Sequence, residues 1–396
     1  MTRRMLLLLA VTCGVAVGTI YFPQAVTPLV AAGLHVPPET AALAVTATQF
    51  GYAAGIFALV PLTDRVRHRT LLVTLLTLSG VSLLMAGAAP TLAVLMAASA
   101  VIGTTTVAAQ VLAPMAAGLV PEDRRGAVTG TLLSGSIGGM LLARAFGGFL
   151  GQSTSWRTPY FVAAVLILLL AAVLARALPA TTPPSTQPYS TVLAEVLRLL
   201  RTEPELRRSA FYQATVFGGF TAVWTAVALL LTGPAYRMGA QAVGLLALVG
   251  VVTMFSTPVA GRQADRRGPD RINLISLLGV LAAAAALAIG AIGGAAGIAA
   301  LTVGTLVLDV AMQSGMVANQ TRIWALGPEV RGRLNTAYMT CAYLGGAVGS
   351  WLGARTYAHL GWPGVCAALA LVTTTALTRH LHKLNRPPAP QVTHPD

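Results

Sequence analysis

Long apolar runs dominate the chain, separated by short stretches where arginine, proline and glycine concentrate. A membrane-crossing helix needs about 20 consecutive, mostly apolar residues. That rule predicts spans near 6–32, 40–62, 70–88, 91–117, 127–150, 158–178, 209–232, 240–261, 272–292, 296–320, 334–357 and 362–381, twelve in all. The longest polar stretch, 179–208, is rich in Pro and Thr and then in Glu and Arg. It predicts a cytoplasmic linker with a surface helix around Thr191–Leu200. The chain thus divides into a six-helix half (1–178), the linker (179–208), a second six-helix half (209–385) and a Pro-rich, disordered tail (386–396).

The basic start and leucine run at residues 3–9 resemble a secretory signal, and Cys13 loosely resembles a lipoprotein cleavage site, though Ala10-Val11-Thr12 is a poor approach to one. The apolar stretch continues to about Leu34, however, well beyond the roughly 7–15 residues of a signal core. It reads as the first membrane span.

Composition agrees with the pattern. Hydrophobic residues make up 55% of the chain and charged residues 10%, against about a quarter charged in soluble domains. A soluble core cannot hide that much apolar surface. The formal net charge of +14 would suit a nucleic-acid binder, but the basic residues sit in short clusters between apolar runs, which excludes that class. Cys13, Cys341 and Cys366 fall inside apolar runs without metal-ligand spacing, so neither a metal site nor a disulfide framework is expected. Charge also sets orientation. Nearly all arginines fall on the side holding both termini, while Arg144, Arg157, Arg237 and Arg355 fall at or near the other. The positive-inside rule then makes both termini cytoplasmic in a cell (inner) membrane.

The halves repeat. Asp64-Arg65 after the second span recurs as Asp265-Arg266 after the eighth, and Arg125-Gly126 recurs as Arg331-Gly332. At the same offset as that second pair, Gly139, Ala143, Gly147 and Trp156 meet Gly345, Gly349, Gly353 and Trp362. Such coincidences argue for a duplicated six-helix unit around a central cavity, a known transporter architecture. The fifth span places small residues at every fourth position, Gly135, Gly139, Ala143, Gly147 and Gly151, and so on one helix face. Small side chains there let neighbouring backbones approach closely.

One acid stands apart. Asp309 lies about 20 Å along its helix from Arg322 at 1.5 Å per residue, which places it deep in a hydrocarbon layer about 30 Å thick. A carboxylate there is costly unless paired, hydrated or protonated, and such residues line transport pathways. It is the candidate proton-coupling group, with Gln313 and Gln320 extending its face; a fixed hydrogen bond to a neighbouring helix is the alternative. Arg144 is the other embedded charge. Its distance from Gly126, about 27 Å at helical rise, puts it near the outer surface, where snorkelling to the headgroups competes with a role in transport. Tyr21, Gln24, Gln49, Gln110 and Trp224 complete the substrate-cavity candidates.

Gly261-Arg262-Gln263-Ala264-Asp265-Arg266-Arg267-Gly268 closely resembles the Gly-x-Leu-Ala-Asp-Arg-x-Gly signature of the major facilitator superfamily, and Thr63-Asp64-Arg65-Val66-Arg67 is a degraded copy. Thr19–Gln24, Val60–Arg65, Ala318–Arg322 and Arg333–Thr336 resemble segments of a bacterial drug or metabolite:proton antiporter branch, with Thr19 and Phe22 where Asn and Tyr are commoner there. The glycine-rich fifth span resembles a motif of the superfamily's exporters without its usual Gly-Pro pair. The resemblance implies an all-α membrane protein of twelve transmembrane helices, alternating access, and a gating role for Asp64, Arg65, Asp265 and Arg266. The expected function is export of a small organic molecule in exchange for protons, with proton-coupled uptake as the alternative. An enzyme would need a convergent nucleophile, metal or acid–base set, which is not found. A phosphate-binding loop of a pump would need Lys, and the chain's one Lys is Lys383 near the end. No cofactor is expected. The expected partners are the substrate, protons and the lipid bilayer, and the carrier is expected to be a monomer.

Overall fold

A computed structural model describes residues 2–178, 188–327 and 329–385, and of residues 64, 114, 117, 122 and 123 the backbone alone. Most of the predicted linker's Pro/Thr stretch (179–187) and the predicted tail (386–396) lie outside the described residues. The described chain contains helices and turns and no strand.

Eleven helices are long and apolar enough to cross a membrane. They are α1 (Arg3–Leu34), α2 (Pro38–Thr63), α3 (His68–Gly87), α4 (Leu92–Ala113), α5 (Arg124–Ser153) and α6 (Thr158–Ala177). After the amphipathic helix α7 (Tyr189–Thr202) come α8 (Pro204–Thr232), α9 (Gln241–Arg267), α10 (Pro269–Ile292), α11 (Gly294–Trp324) and α12 (Arg331–Leu384). Short connections make successive helices antiparallel, so every second connection falls at the end that carries the termini. The 54 residues of α12 would reach about 80 Å as one helix. They are two helices meeting at Gly361, whose φ of 64° and ψ of −165° break the helical path just before Pro363.

The outer surface is apolar. Phe50, Leu142, Phe149, Phe255 and Leu371 are all more than half exposed, which in water would be a liability and in lipid is the rule. The bundle is held by close backbone approach. A Cβ built on Gly139 of α5 would stand 2.1 Å from the Gly14 carbonyl oxygen of α1, and one on Gly147 would stand 2.8 Å from Phe22 Cβ. Across α8 and α12, a Cβ on Gly345 would meet the Ala214 oxygen at 2.3 Å, one on Gly349 the Gly218 oxygen at 2.0 Å, and one on Gly353 the Ala222 Cα at 2.6 Å. These seams are the small-residue rows read from the sequence, now with their partners.

Contacts between the first six spans and the last five concentrate away from the termini. There Thr46 of α2 bonds Ser350 of α12 at 3.3 Å, and the Ala240 N–H donates to Gln152 of α5 at 2.9 Å. At the termini end, α7 touches both sides. The Tyr189 hydroxyl donates to the Ala58 carbonyl of α2, and Glu195 pairs with Arg333 of α12.

Candidate functional site

At mid-bundle, α1, α5, α8 and α11 bring polar side chains to one buried place. Asp309 occupies the midpoint of the 31-residue α11 and is buried. Its Oδ1 accepts a hydrogen bond from Trp224 Nε1 of α8 at 3.1 Å. The face of the same indole lies 4.2 Å from the Arg144 guanidinium of α5. Tyr21 of α1 and Phe220 of α8 flank that guanidinium at 4.9 and 5.7 Å. Arg144 Nε donates to Gln24 Oε1 of α1 at 2.9 Å. Trp224 therefore stands between the two embedded charges, its face to the cation and its N–H to the acid.

The local reason for this convergence is the small-residue pattern. On α5, Gly139 and Gly147 face α1, and the adjoining Ala145 and Gly148 meet α9, so Arg144 between them is carried into the bundle. The guanidinium is 0% exposed. This corrects the sequence placement of Arg144 near the outer surface. The helix runs on to Ser153, about 14 Å beyond Arg144, and the side chain turns inward, so headgroup snorkelling is overturned. On α9, the regular helix tightens to a 3-10 turn over Val249–Val252. Gly250 in that turn lies so close to Asp309 that a Cβ there would stand 2.6 Å from Oδ2.

Several of these polar atoms lack a hydrogen-bond partner among the described residues: both Nη atoms of Arg144, Gln24 Nε2, both amide atoms of Gln49, and Gln313 Oε1. Buried polar groups are paired in the great majority of cases, so such a concentration makes this place the candidate site. Gln49 of α2 is fully buried, and Gln313 stands one turn beyond Asp309. Gln110 is half-buried and donates to the Tyr52 hydroxyl at 3.2 Å. Gln320 is half-buried nearer the termini end of α11, apart from the cluster. The sequence reading missed Tyr343 of α12, whose hydroxyl lies 3.3 Å from that of Tyr21 and whose ring meets Tyr52 edge-on at 4.4 Å. Its position two residues before Gly345, inside the apolar run that repeats the fifth span, was the available signal.

The signature loops look different. Arg65, Asp265 and Arg266 are exposed, and Asp265 forms no ion pair among the described residues. The Asp64 side chain lies outside what is described. Instead, the dense ionic knot at the termini end centres on Asp270 of α10. Its Oδ1 takes Arg208 Nη2 of α8 at 2.5 Å and Arg322 Nη2 of α11. Glu205 adds contacts to both arginines at 3.3 and 3.5 Å, and His380 of α12 meets the Asp270 backbone oxygen at 3.1 Å. Arg322, which the sequence suggested as a marker of the membrane interface, is thus mostly buried within this knot.

Residues 7–322 match the sequence model of the Major Facilitator Superfamily. The chain belongs to that superfamily, and it is a multi-pass membrane protein. It is 34% identical to the uncharacterized transporter YgaY of Escherichia coli O157:H7, over 96% of each chain. It is 33% identical to the probable transporter SCO4007 of Streptomyces coelicolor, over 92% of this chain and 84% of the relative. A more distant relative, 23% identical over 69% of this chain and 67% of its own, is the multidrug resistance protein MdtG of Escherichia fergusonii. Among solved structures, the crystal structure of a point mutant of the nucleoside transporter NupG matches with a TM-score of 0.76 at 13% identity, over 95% of this chain and 99% of that one. That likeness speaks to the fold alone.

Proposed function

We propose that this superfamily member is a secondary active transporter that couples movement of a small organic molecule to protons by alternating access. The observation that carries this is Asp309, an acid at the middle of an apolar helix, held by Trp224 beside the buried Arg144 of the opposite half. A lone carboxyl in such a place can exchange a proton with whichever side it faces and so link protonation to the position of the halves. Twelve crossings in two six-helix repeats, with both termini cytoplasmic, fit the break at Gly361 and the basic-residue asymmetry. Asp64, Arg65, Asp265 and Arg266 are the proposed switch elements. The aromatic walls at Tyr21, Phe220 and Trp224 suit an organic substrate.

Export in exchange for protons is the first reading, supported by the kinship to a protein named for multidrug resistance. Uptake together with protons is the second, favoured by one observation: Arg144 leaves two buried donors open. The test is flux in inverted and right-side-out vesicles with an imposed pH gradient, following ethidium and a set of labelled organic acids. Asp309→Asn keeps size and hydrogen bonding but cannot titrate. It is expected to exchange substrate while losing accumulation driven by the gradient. Full gradient-driven transport by that variant removes Asp309 as the proton site.

A further inference from the structure

We infer that Arg144 is the seat for the anionic group of the transported molecule, and that this molecule is an organic monoanion with a flat apolar body. The inference rests on the proton-coupled transport reading above. Arg144 is wholly buried, yet Nη1 and Nη2 meet no acceptor among the described residues. Gln24 commits its Oε1 to Arg144 Nε and leaves its own Nε2 open beside them. The surplus on Arg144 and Gln24 is therefore all donor, while the open acceptors of the cluster belong to Gln49 and Gln313 on other helices. A carboxylate is acceptor-only, and its two oxygens match the fork of a guanidinium. A cation would meet the charge of Arg144, and an amide would bring more donors.

The walls define the rest of the ligand. Trp224 and Tyr21 stand 4.2 and 4.9 Å from the guanidinium, with Phe220 behind at 5.7 Å. Flat rings of this kind favour a flat apolar partner. Asp309 does not occupy the open donors: its Oδ1 takes the indole Nε1, its Oδ2 lies toward Gly250, and both Nη atoms stay without a partner among the described residues. The other charged or titratable groups gathered here are Arg144 from α5, Tyr21 from α1, Tyr52 from α2 and Tyr343 from α12, while α9 presents Gly250.

A way in lies on the side away from the termini. A cavity of about 700 Å³ there is lined by Gln152, Leu229, Thr232 and Arg237, among others. Gln152 stands about 12 Å beyond Arg144, and Thr232 about 12 Å beyond Trp224, at helical rise. Between this vestibule and Arg144 stands the contact of α5 with α9. A Cβ on Gly148 would lie 2.5 Å from the Ala240 oxygen, and one on Gly244 would lie 2.5 Å from Ala145 Cα. Parting those two helices joins the vestibule to the site.

Charge balance gives the coupling. Before the ligand arrives, one arginine and one aspartate offset each other in a low-dielectric interior. A bound monoanion leaves an excess negative charge, which is removed when Asp309 takes up a proton. Anion and proton then travel together, in line with the uptake reading.

The purified full-length protein tests this by thermal shift against benzoate, 1-naphthoate and indole-3-acetate, each beside its primary amide. At least one carboxylate is expected to raise Tm saturably while its amide does not. Arg144→Gln is expected to weaken that binding by at least about 30-fold. Arg144→Lys keeps the charge without the fork and is expected to weaken it by about tenfold. No response to any of the three acids, equal response to the amides, or unchanged binding by Arg144→Gln overturns the assignment. If Arg144→Gln is not monodisperse, Arg144→Lys and Trp224→Leu carry the test, and unchanged binding in both overturns it. A pH electrode in unbuffered solution reads the coupling separately. Carboxylate binding that draws no proton keeps Arg144 as the anion seat and removes Asp309 as the coupling group.

Discussion

Two seams hold the bundle together, and they share a backbone design while carrying different polar cargo. Where α1 crosses α5, Gly139 and Gly147 meet Gly14 and Phe22; where α8 crosses α12, Gly345 and Gly353 meet Ala214 and Ala222. Next to the first seam, at Arg144, stands a guanidinium bonded to Gln24. The equivalent place beside the second seam is Ser350, whose hydroxyl lies 3.1 Å from that of Thr225. Close helix packing is a matter of missing Cβ atoms and tolerates no addition. The side chain one position along is free to differ, and one charge there distinguishes the candidate binding region from the other seam.

The largest way to break this comparison is to fill a seam. Gly139→Leu and Gly349→Leu each push a Cβ into a backbone oxygen at about 2 Å. Each is expected to cost more than about 4 kcal/mol and to abolish the monodisperse peak in size-exclusion chromatography. Gly138→Leu, where nothing lies within 4 Å, is the control and should purify normally. Survival of either seam variant would mean the seams are not equivalent.

Exchanging the cargo comes next. Arg144→Ser gives the first seam the residue of the second, and is expected to reduce transport by at least about 100-fold, as loss of about 3 kcal/mol of charged contact does. Ser350→Ala removes one hydroxyl contact and should cost about 1 kcal/mol in stability with transport retained. Equal losses in flux assays would mean that the difference in cargo carries no function.

The termini end sharpens the contrast further. Asp270→Ala leaves Arg208 and Arg322 facing each other with only Glu205 between them. Its side chain is 42% exposed, so solvent screening limits the expected cost to about 1–2 kcal/mol, read as a lower Tm in detergent. Asp265→Asn, at an exposed acid with no ion pair among the described residues, should change stability by less than about 0.5 kcal/mol. If that loop takes part in switching, the same variant slows transport turnover at unchanged Tm.

Apolar length and small-residue spacing are local properties, so the spans and the rows at Gly139 and Gly349 were readable from the sequence. Asp309 was readable too, because a charge inside an apolar run has few neighbours to confuse it. The inward turn of Arg144 was not, since it depends on how far α5 extends beyond it and on which helix its face meets. The Asp270 knot was missed for a related reason. Its members come from four separate helices, and each alone reads as an ordinary charge at a helix end. The signature ends at Gly268, two residues before Asp270, and so carries no sign of the knot.

The helix α7 has a mechanical consequence. With Tyr189 fastened to α2 and Glu195 to α12, it would act as a short leash between the two sides if, under the alternating access proposed above, they part at that end. Six residues of helix span about 9 Å, so the stroke is bounded unless one fastening lets go. Only Glu203 separates α7 from α8, and Arg207 of α8 donates to the Leu200 and Arg201 carbonyls, so α7 is tied to the last five spans, and the Tyr189 bond is its fastening to α2. The leash would therefore ride with the last five spans and slip at Tyr189, setting how wide the mouth at the termini end can gape.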